Sequence, residues 1–131
     1  MIYPENLMYN DKHMWVREDG TTGVTDFAQK FLGEILKVKV QPVGTVVKKG
    51  RSLGEIEVFK QITDLRAPVS GTIRAVNANV MREPTIINHD PYGEGWIAVI
   101  EMAQPEELSE LLTSSEYEKV AATHTTVNLL N

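Results

Sequence analysis

Apolar and polar positions alternate through the middle of the chain. Ile35-Leu36-Lys37-Val38-Lys39-Val40 ends in strict alternation, with both lysines on one face and Val38 and Val40 on the other. That is the period of a half-buried strand. Val46–Val47, Gly54–Val58, Thr63–Arg66, Gly71–Val76 and Trp96–Ile100 read as further strands. Pro42, Gly44 and Lys48-Lys49-Gly50 break the pattern between them, and Asn88–Gly95 is rich in turn residues. Upstream, Tyr9–Arg17 reads as a strand interrupted by polar residues. Glu18-Asp19-Gly20 then turns the chain, with Gly20 free to take the positive φ of a tight hairpin, and Thr22–Val24 returns.

At two places the period becomes helical. Thr25 is placed to cap a short helix, Asp26 suits its positive end, and Phe27, Ala28, Phe31 and Leu32 recur at helical spacing before Gly33 stops it. Near the C-terminus, Pro105 fits a first helical position, followed by Glu106 and Glu107 and an apolar stripe of Leu108, Leu111 and Leu112. Ser114 or Ser115 is expected to cap a second helix running through Val120. Ala122–Asn131 shows no pattern and is expected to be mobile.

Two stretches echo one another. Gly33–Val38 closing at Gly54–Glu57 and Gly71–Val76 closing at Gly95–Val99 both run strand, Gly/Pro/Asn-rich excursion, strand. The repeat suggests two sheets related by a pseudo-twofold, as a flattened barrel or sandwich. The chain must reverse between the halves, at Phe59-Lys60-Gln61.

The chain has 131 residues, of which 42% are hydrophobic. It fits one domain, 1–131, with a core over about 9–101, C-terminal helices over about 105–121 and a tail from 122. A net charge of −5 argues against nucleic acid as a partner. With no cysteine there is no disulfide, thiolate metal site or intrinsic redox dithiol, so redox chemistry would need an added group. The N-terminus lacks the regions of a signal peptide, and no apolar run is long enough to span a membrane. A soluble, cytoplasmic monomer is the expectation.

Lys60 is the residue most open to added chemistry. If Gly54–Val58 pairs with Thr63–Arg66, it lies at a hairpin tip with its ammonium in solvent. There it has little to do as an acid or base but is accessible to a modifying enzyme. Taken alone it is an ordinary turn lysine. Its surroundings change this. Gly54-x-Ile56-Glu57-x-x-Lys60-x-x-x-Asp64-Leu65-x-x-Pro68-Val69-Ser70-Gly71 resembles the lipoylation hairpin of the glycine cleavage system H-protein family. His13-x-Trp15-Val16, Gly23–Gln29, Leu32–Ile35, Asn88–Trp96 and Leu111-Leu112-x-x-x-Glu116-Tyr117 keep the same register.

The resemblance implies a mainly β, lipoyl-domain fold with added helices. It implies lipoate in amide linkage at Lys60, and a carrier rather than an enzyme. Glu57 takes the family's acidic position, where the lipoylating enzyme would recognise it. Other chemistry fares worse. His13, His89 and His124 are far apart in sequence with no ligand spacing, so no metal site is expected. Ser70 has no general base in the sequence around it. Lys48–Arg51 is expected to be a solvated turn, and Trp15 and Trp96 are expected to belong to the core rather than stack on a ligand.

Met14, Lys39, Val58 and Gln61 depart from the family pattern. Most such positions are expected at the surface or turn tip, on the face a partner would touch. On that ground the balance tips toward a specialised paralogue, similar to the lipoate-binding proteins that carry sulfur for heterodisulfide-reductase-like sulfur-oxidising enzymes. The alternative is the glycine cleavage carrier proper. It would serve glycine decarboxylase, aminomethyltransferase and dihydrolipoyl dehydrogenase by moving an aminomethyl group between them.

Overall fold

The computed structural model describes residues 1–124, and the tail expectation for 125–131 lies outside them. The strands are β1 (Met8–Tyr9), β2 (Met14–Val16), β3 (Thr21–Val24), β4 (Ile35–Val40), β5 (Val46–Val47), β6 (Ser52–Val58), β7 (Gln61–Arg66), β8 (Gly71–Val76) and β9 (Ala98–Met102). The helices are α1 (Asp26–Leu32), α2 (Ala78–Arg82), α3 (Ile86–His89) and α4 (Ser114–His124), with a 3-10 segment at Pro105–Glu110. A six-stranded sheet in the order β1-β2-β3-β9-β8-β5 faces a three-stranded sheet in the order β4-β6-β7. The expected two-sheet β architecture is present, as a sandwich rather than a closed barrel.

Alternation decides which side chains fill the space between the sheets. From the small sheet, Ile35 and Val38 of β4, Ile56 and Val58 of β6 and Leu65 of β7 point inward and are buried. Val16, Ile73, Ala98 and Ile100 join them from the large sheet in one hydrophobic cluster. Lys37, Lys39, Glu55 and Glu57 take the solvent positions, so the strands are amphipathic by period, as antiparallel sheets with one wet face are. Each such buried aliphatic side chain contributes about 1.5–3 kcal/mol over its exposed state.

Several boundaries differ from the sequence reading. Tyr9–Arg17 is a hairpin rather than one strand, because Asn10 turns the chain: its carboxamide oxygen accepts from the amides of Lys12 and Met14. The closing strand is shifted to Ala98–Met102, since Trp96 follows directly on the 90–95 turns. Helices α2 and α3 were not foreseen in the excursion that follows Gly71–Val76; Asn77 caps α2 through its side chain. The cap of α4 is Thr113, not Ser114 or Ser115, in a reciprocal box: Glu116 N donates to Thr113 Oγ1 (3.3 Å) and Thr113 N to Glu116 Oε1 (2.9 Å). That helix continues to His124, past the expected end.

A second cluster of Leu7, Tyr9, Trp15, Phe27, Tyr117 and Ala121 docks α4 onto the large sheet. Gly23 is required there, because a Cβ would meet the Trp15 indole at 2.8 Å. A hydrogen-bonded chain runs through this cluster. Thr25 Oγ1, the cap of α1, bonds the Tyr117 hydroxyl (2.7 Å), which bonds His13 Nδ1 (2.6 Å). His13 Nε2 in turn bonds His124 Nδ1 (2.8 Å). Burial holds the Tyr117 phenol above its ordinary range, so it stays neutral.

Desolvation, then the nearby His124 and Lys12, push His13 down to about 4 from an ordinary 6.5. A depressed histidine favours the fold in its neutral form. This stability is complete above pH 6.5 and is lost as pH falls toward 4. The loss amounts to about 3 kcal/mol over that window. Urea unfolding at pH 7 and pH 4.5 should show this fall. In His13→Asn, which tolerates the left-handed backbone at this position (φ 71), most of the histidine's share should vanish. An unchanged acid slope in the variant would contradict the assignment.

Candidate functional site

The small sheet is built around β6, which pairs with β4 on one side and β7 on the other. Val58 and Gln61 are the last paired residues of the β6–β7 hairpin, so the turn contains only Phe59 and Lys60. The sequence expectation of Lys60 at an exposed hairpin tip is met. One feature was not foreseen: Lys60 is left-handed, with φ 64. Two-residue turns place glycine or asparagine at this second central position. Among the described residues the Lys60 ammonium makes no ion pair or hydrogen bond. Its one recorded contact is the Phe59 ring, 5.4 Å from Nζ to centroid.

Side chains hold the corner before β4 and the connection from β7 to β8. Near the turn, Asn88 of α3 ties the α1–β4 corner: its Oδ1 accepts from Ile35 N, and its Nδ2 donates to Gly33 O. Ile35 lies opposite Val58, one residue from the turn. In the connection from β7 to β8, the buried Glu107 carboxylate accepts from Ser70 N (2.7 Å) and Ser70 Oγ (3.0 Å). Ser70 therefore has an acidic partner that the sequence did not disclose, and the hydroxyl also accepts from Lys49 N. This arrangement clamps the 3-10 segment to the strand junction. Lys49 itself pairs with Glu110 at 2.6 Å, so that turn is not purely solvated.

On the outer face, Glu57 sits between Lys37 and Ile62 across the ladder. Its carboxylate is exposed and makes no ion pair or hydrogen bond among the described residues. Asp64 is engaged instead, with Ser52 Oγ and Arg66.

The four departures from the family pattern do not form one face. Lys39 is exposed and Gln61 half-buried, but Met14 is 1% and Val58 5% exposed, both in the core between the sheets. Residues enclosed in this way cannot meet a partner's surface. The expectation that the departures lie on a docking face is therefore corrected for Met14 and Val58. His13 and His124, distant in sequence, are in contact, whereas His89 is not joined to them by any recorded bond. Among the described residues no group of three or more His, Asp or Glu is placed to hold a metal ion. Trp15 is fully enclosed in the core, as expected, and Trp96 packs partly buried against the second cluster.

The left-handed lysine carries a stability consequence. Lys60→Gly should stabilise the fold by about 0.5–1 kcal/mol, the relief of left-handed strain less the added freedom of the unfolded chain. Lys60→Arg should change stability by less than about 0.5 kcal/mol. Chemical denaturation measures both. A destabilised Lys60→Gly would mean that the turn is not strained.

The comparisons with known proteins converge. The sequence model for "Glycine cleavage H-protein" matches residues 7–124. The glycine cleavage system H protein of Carboxydothermus hydrogenoformans is 42% identical over 122 residues, covering 91% of this chain and 94% of that protein. That of Listeria monocytogenes serotype 4a is 43% identical over 123 residues, covering 92% and 98%. The crystal structure of a glycine cleavage system H protein from Mycobacterium marinum superposes with a TM-score of 0.82 at 34% identity, covering 95% of this chain and all of that one. None of these lends support to the preference for sulfur oxidation. The chain belongs to the glycine cleavage H-protein family.

Proposed function

We propose that this protein is the lipoyl carrier of a glycine cleavage system, with lipoate amide-linked to Lys60. Members of its family carry a covalent lipoate on a lysine. The observation that carries the assignment to Lys60 is its setting. It is an exposed lysine with no ion pair or hydrogen bond among the described residues, in a left-handed conformation at the tip of a two-residue turn whose strand β6 is paired on both edges. The fit is favourable because nothing recorded competes for Nζ except the adjoining Phe59 ring. When bound, the group supplies a disulfide that takes up electrons and thiols that hold a one-carbon fragment.

The chain's own residues present and hold that arm. Strand pairing keeps the turn rigid, and the open surroundings leave the arm free to enter successive active sites. Glu57, exposed and unpaired on the strand leading into the turn, is the charge we assign to recognition by the lipoylating enzyme. The partners are then that enzyme, glycine decarboxylase, aminomethyltransferase and dihydrolipoyl dehydrogenase. The catalytic groups reside in them. No helix among the described residues is long and apolar enough to cross a membrane, and we place the carrier in the cytoplasm. The sulfur-carrying reading, which the sequence favoured over glycine cleavage, rested on departures around the arm, and it loses force because Met14 and Val58 are core residues.

The lipoylated protein, supplied to a glycine decarboxylase and its aminomethyltransferase, should support glycine-dependent release of carbon dioxide. Lys60→Arg, which keeps the charge but cannot be acylated in this way, should support none. Failure of the lipoylated protein, in an assay where another H protein works, would overturn the glycine cleavage assignment.

A further inference from the structure

The lysine turn holds a left-handed residue that is not glycine at its second central position, and an exposed phenylalanine at its first. Tight hairpin turns select glycine, asparagine and aspartate. Here the second position is the left-handed Lys60, and the first is Phe59, 78% exposed, the most exposed large hydrophobic side chain among the described residues. Ile62, 59% exposed, follows on the outer face beside Glu57. Neither Phe59 nor Ile62 belongs to either hydrophobic cluster. Single exposed apolar residues are common and need no explanation. A left-handed lysine at a turn tip, beside a phenylalanine that packs on neither hydrophobic cluster, marks a place where function overrides folding preference.

We propose that Phe59, with Ile62 beside it, is the apolar contact by which the lipoylating enzyme grips this turn; this rests on the assignment of Lys60 as the acylated residue. In the modification, neutral Nζ attacks the carbonyl carbon of an activated acyl ester or thioester. The C–N bond forms, the leaving group departs with the electron pair of its bond to the carbonyl, and nitrogen gives up one proton to that group or to water. The carbonyl must therefore reach an amine that stands one side chain away from the turn. The mouth of the active site closes over both turn residues, and Phe59 is covered whenever the reaction proceeds. The same mouth holds a medium-length, apolar acyl chain, so its lining is apolar. Phe59 and Ile62 match it, while Glu57 adds a charge at the rim. Aromatic residues covered at the centre of a contact are the ones that dominate binding.

The test is the kinetics of acylation by a lipoylating enzyme, followed by intact mass. The proteins are the wild type, Phe59→Ser, Ile62→Thr, the double variant and Phe59→Leu, all checked for an unchanged melting midpoint. Phe59→Ser should raise KM about tenfold with kcat within about twofold, and the double variant should raise it further. Phe59→Leu should keep most of the wild-type KM. A wild-type KM in Phe59→Ser, or a fall in kcat at constant KM, would overturn the proposal and leave the Lys60 assignment standing. Absence of acylation in the wild type would overturn that assignment, and this proposal with it.

Discussion

Pairing of Val58 with Gln61 leaves two residues to reverse the chain between β6 and β7, and the site follows from that limit. A hairpin closed so tightly needs a residue with positive φ, and the sequence places a lysine there rather than glycine. The strain is stored locally and held by the pairing of β6 on both edges. In return the side chain projects from the end of a sheet into solvent. A carrier needs this arrangement: a mobile arm on an immobile base.

The remainder of the fold keeps that base still. Glu107 and Ser70 fix the connection from β7 to β8, and Asn88 fixes the α1–β4 corner. The core between the sheets excludes water from beneath β6, and α4 closes the second cluster through Tyr117, which stacks on Tyr9 at 4.9 Å. The hydrogen bonds of Thr25, Tyr117, His13 and His124 connect α4 to the start of α1. None of these residues belongs to the lysine turn. The contacts that hold the fold and the turn proposed for lipoylation therefore occupy separate parts of the molecule, and the turn can keep a left-handed lysine without endangering the fold.

The parts legible in the sequence were those governed by short-range rules. The alternation in 35–40 gave the correct faces, with Lys37 and Lys39 outside and Val38 inside. Thr25 and Gly33 bounded α1 as their capping chemistry requires. The hairpin and Lys60 at its tip were legible from spacing and from family resemblance together. Other features depended on tertiary contacts. Met14 and Val58 were read as partner-facing because pattern comparison says where residues differ, not which way they point. The contact between His13 and His124 joins residues more than a hundred positions apart, and no local pattern announces it. Glu107 read only as an acidic residue following Pro105 at the start of a helix, yet its carboxylate is buried on Ser70. Phe59 was placed at the chain reversal by the sequence, but that it packs on neither hydrophobic cluster was visible only in the structure.

The proposed function rests on covalent lipoylation at Lys60. Its most direct test is intact-mass analysis with peptide mapping of the protein co-expressed with a lipoylating enzyme and lipoate, beside Lys60→Arg. The account predicts a single lipoyl adduct, confined to the peptide containing Lys60 and absent from the variant. An adduct that persists in Lys60→Arg, or an unmodified wild type alongside a lipoylated control domain, would contradict it.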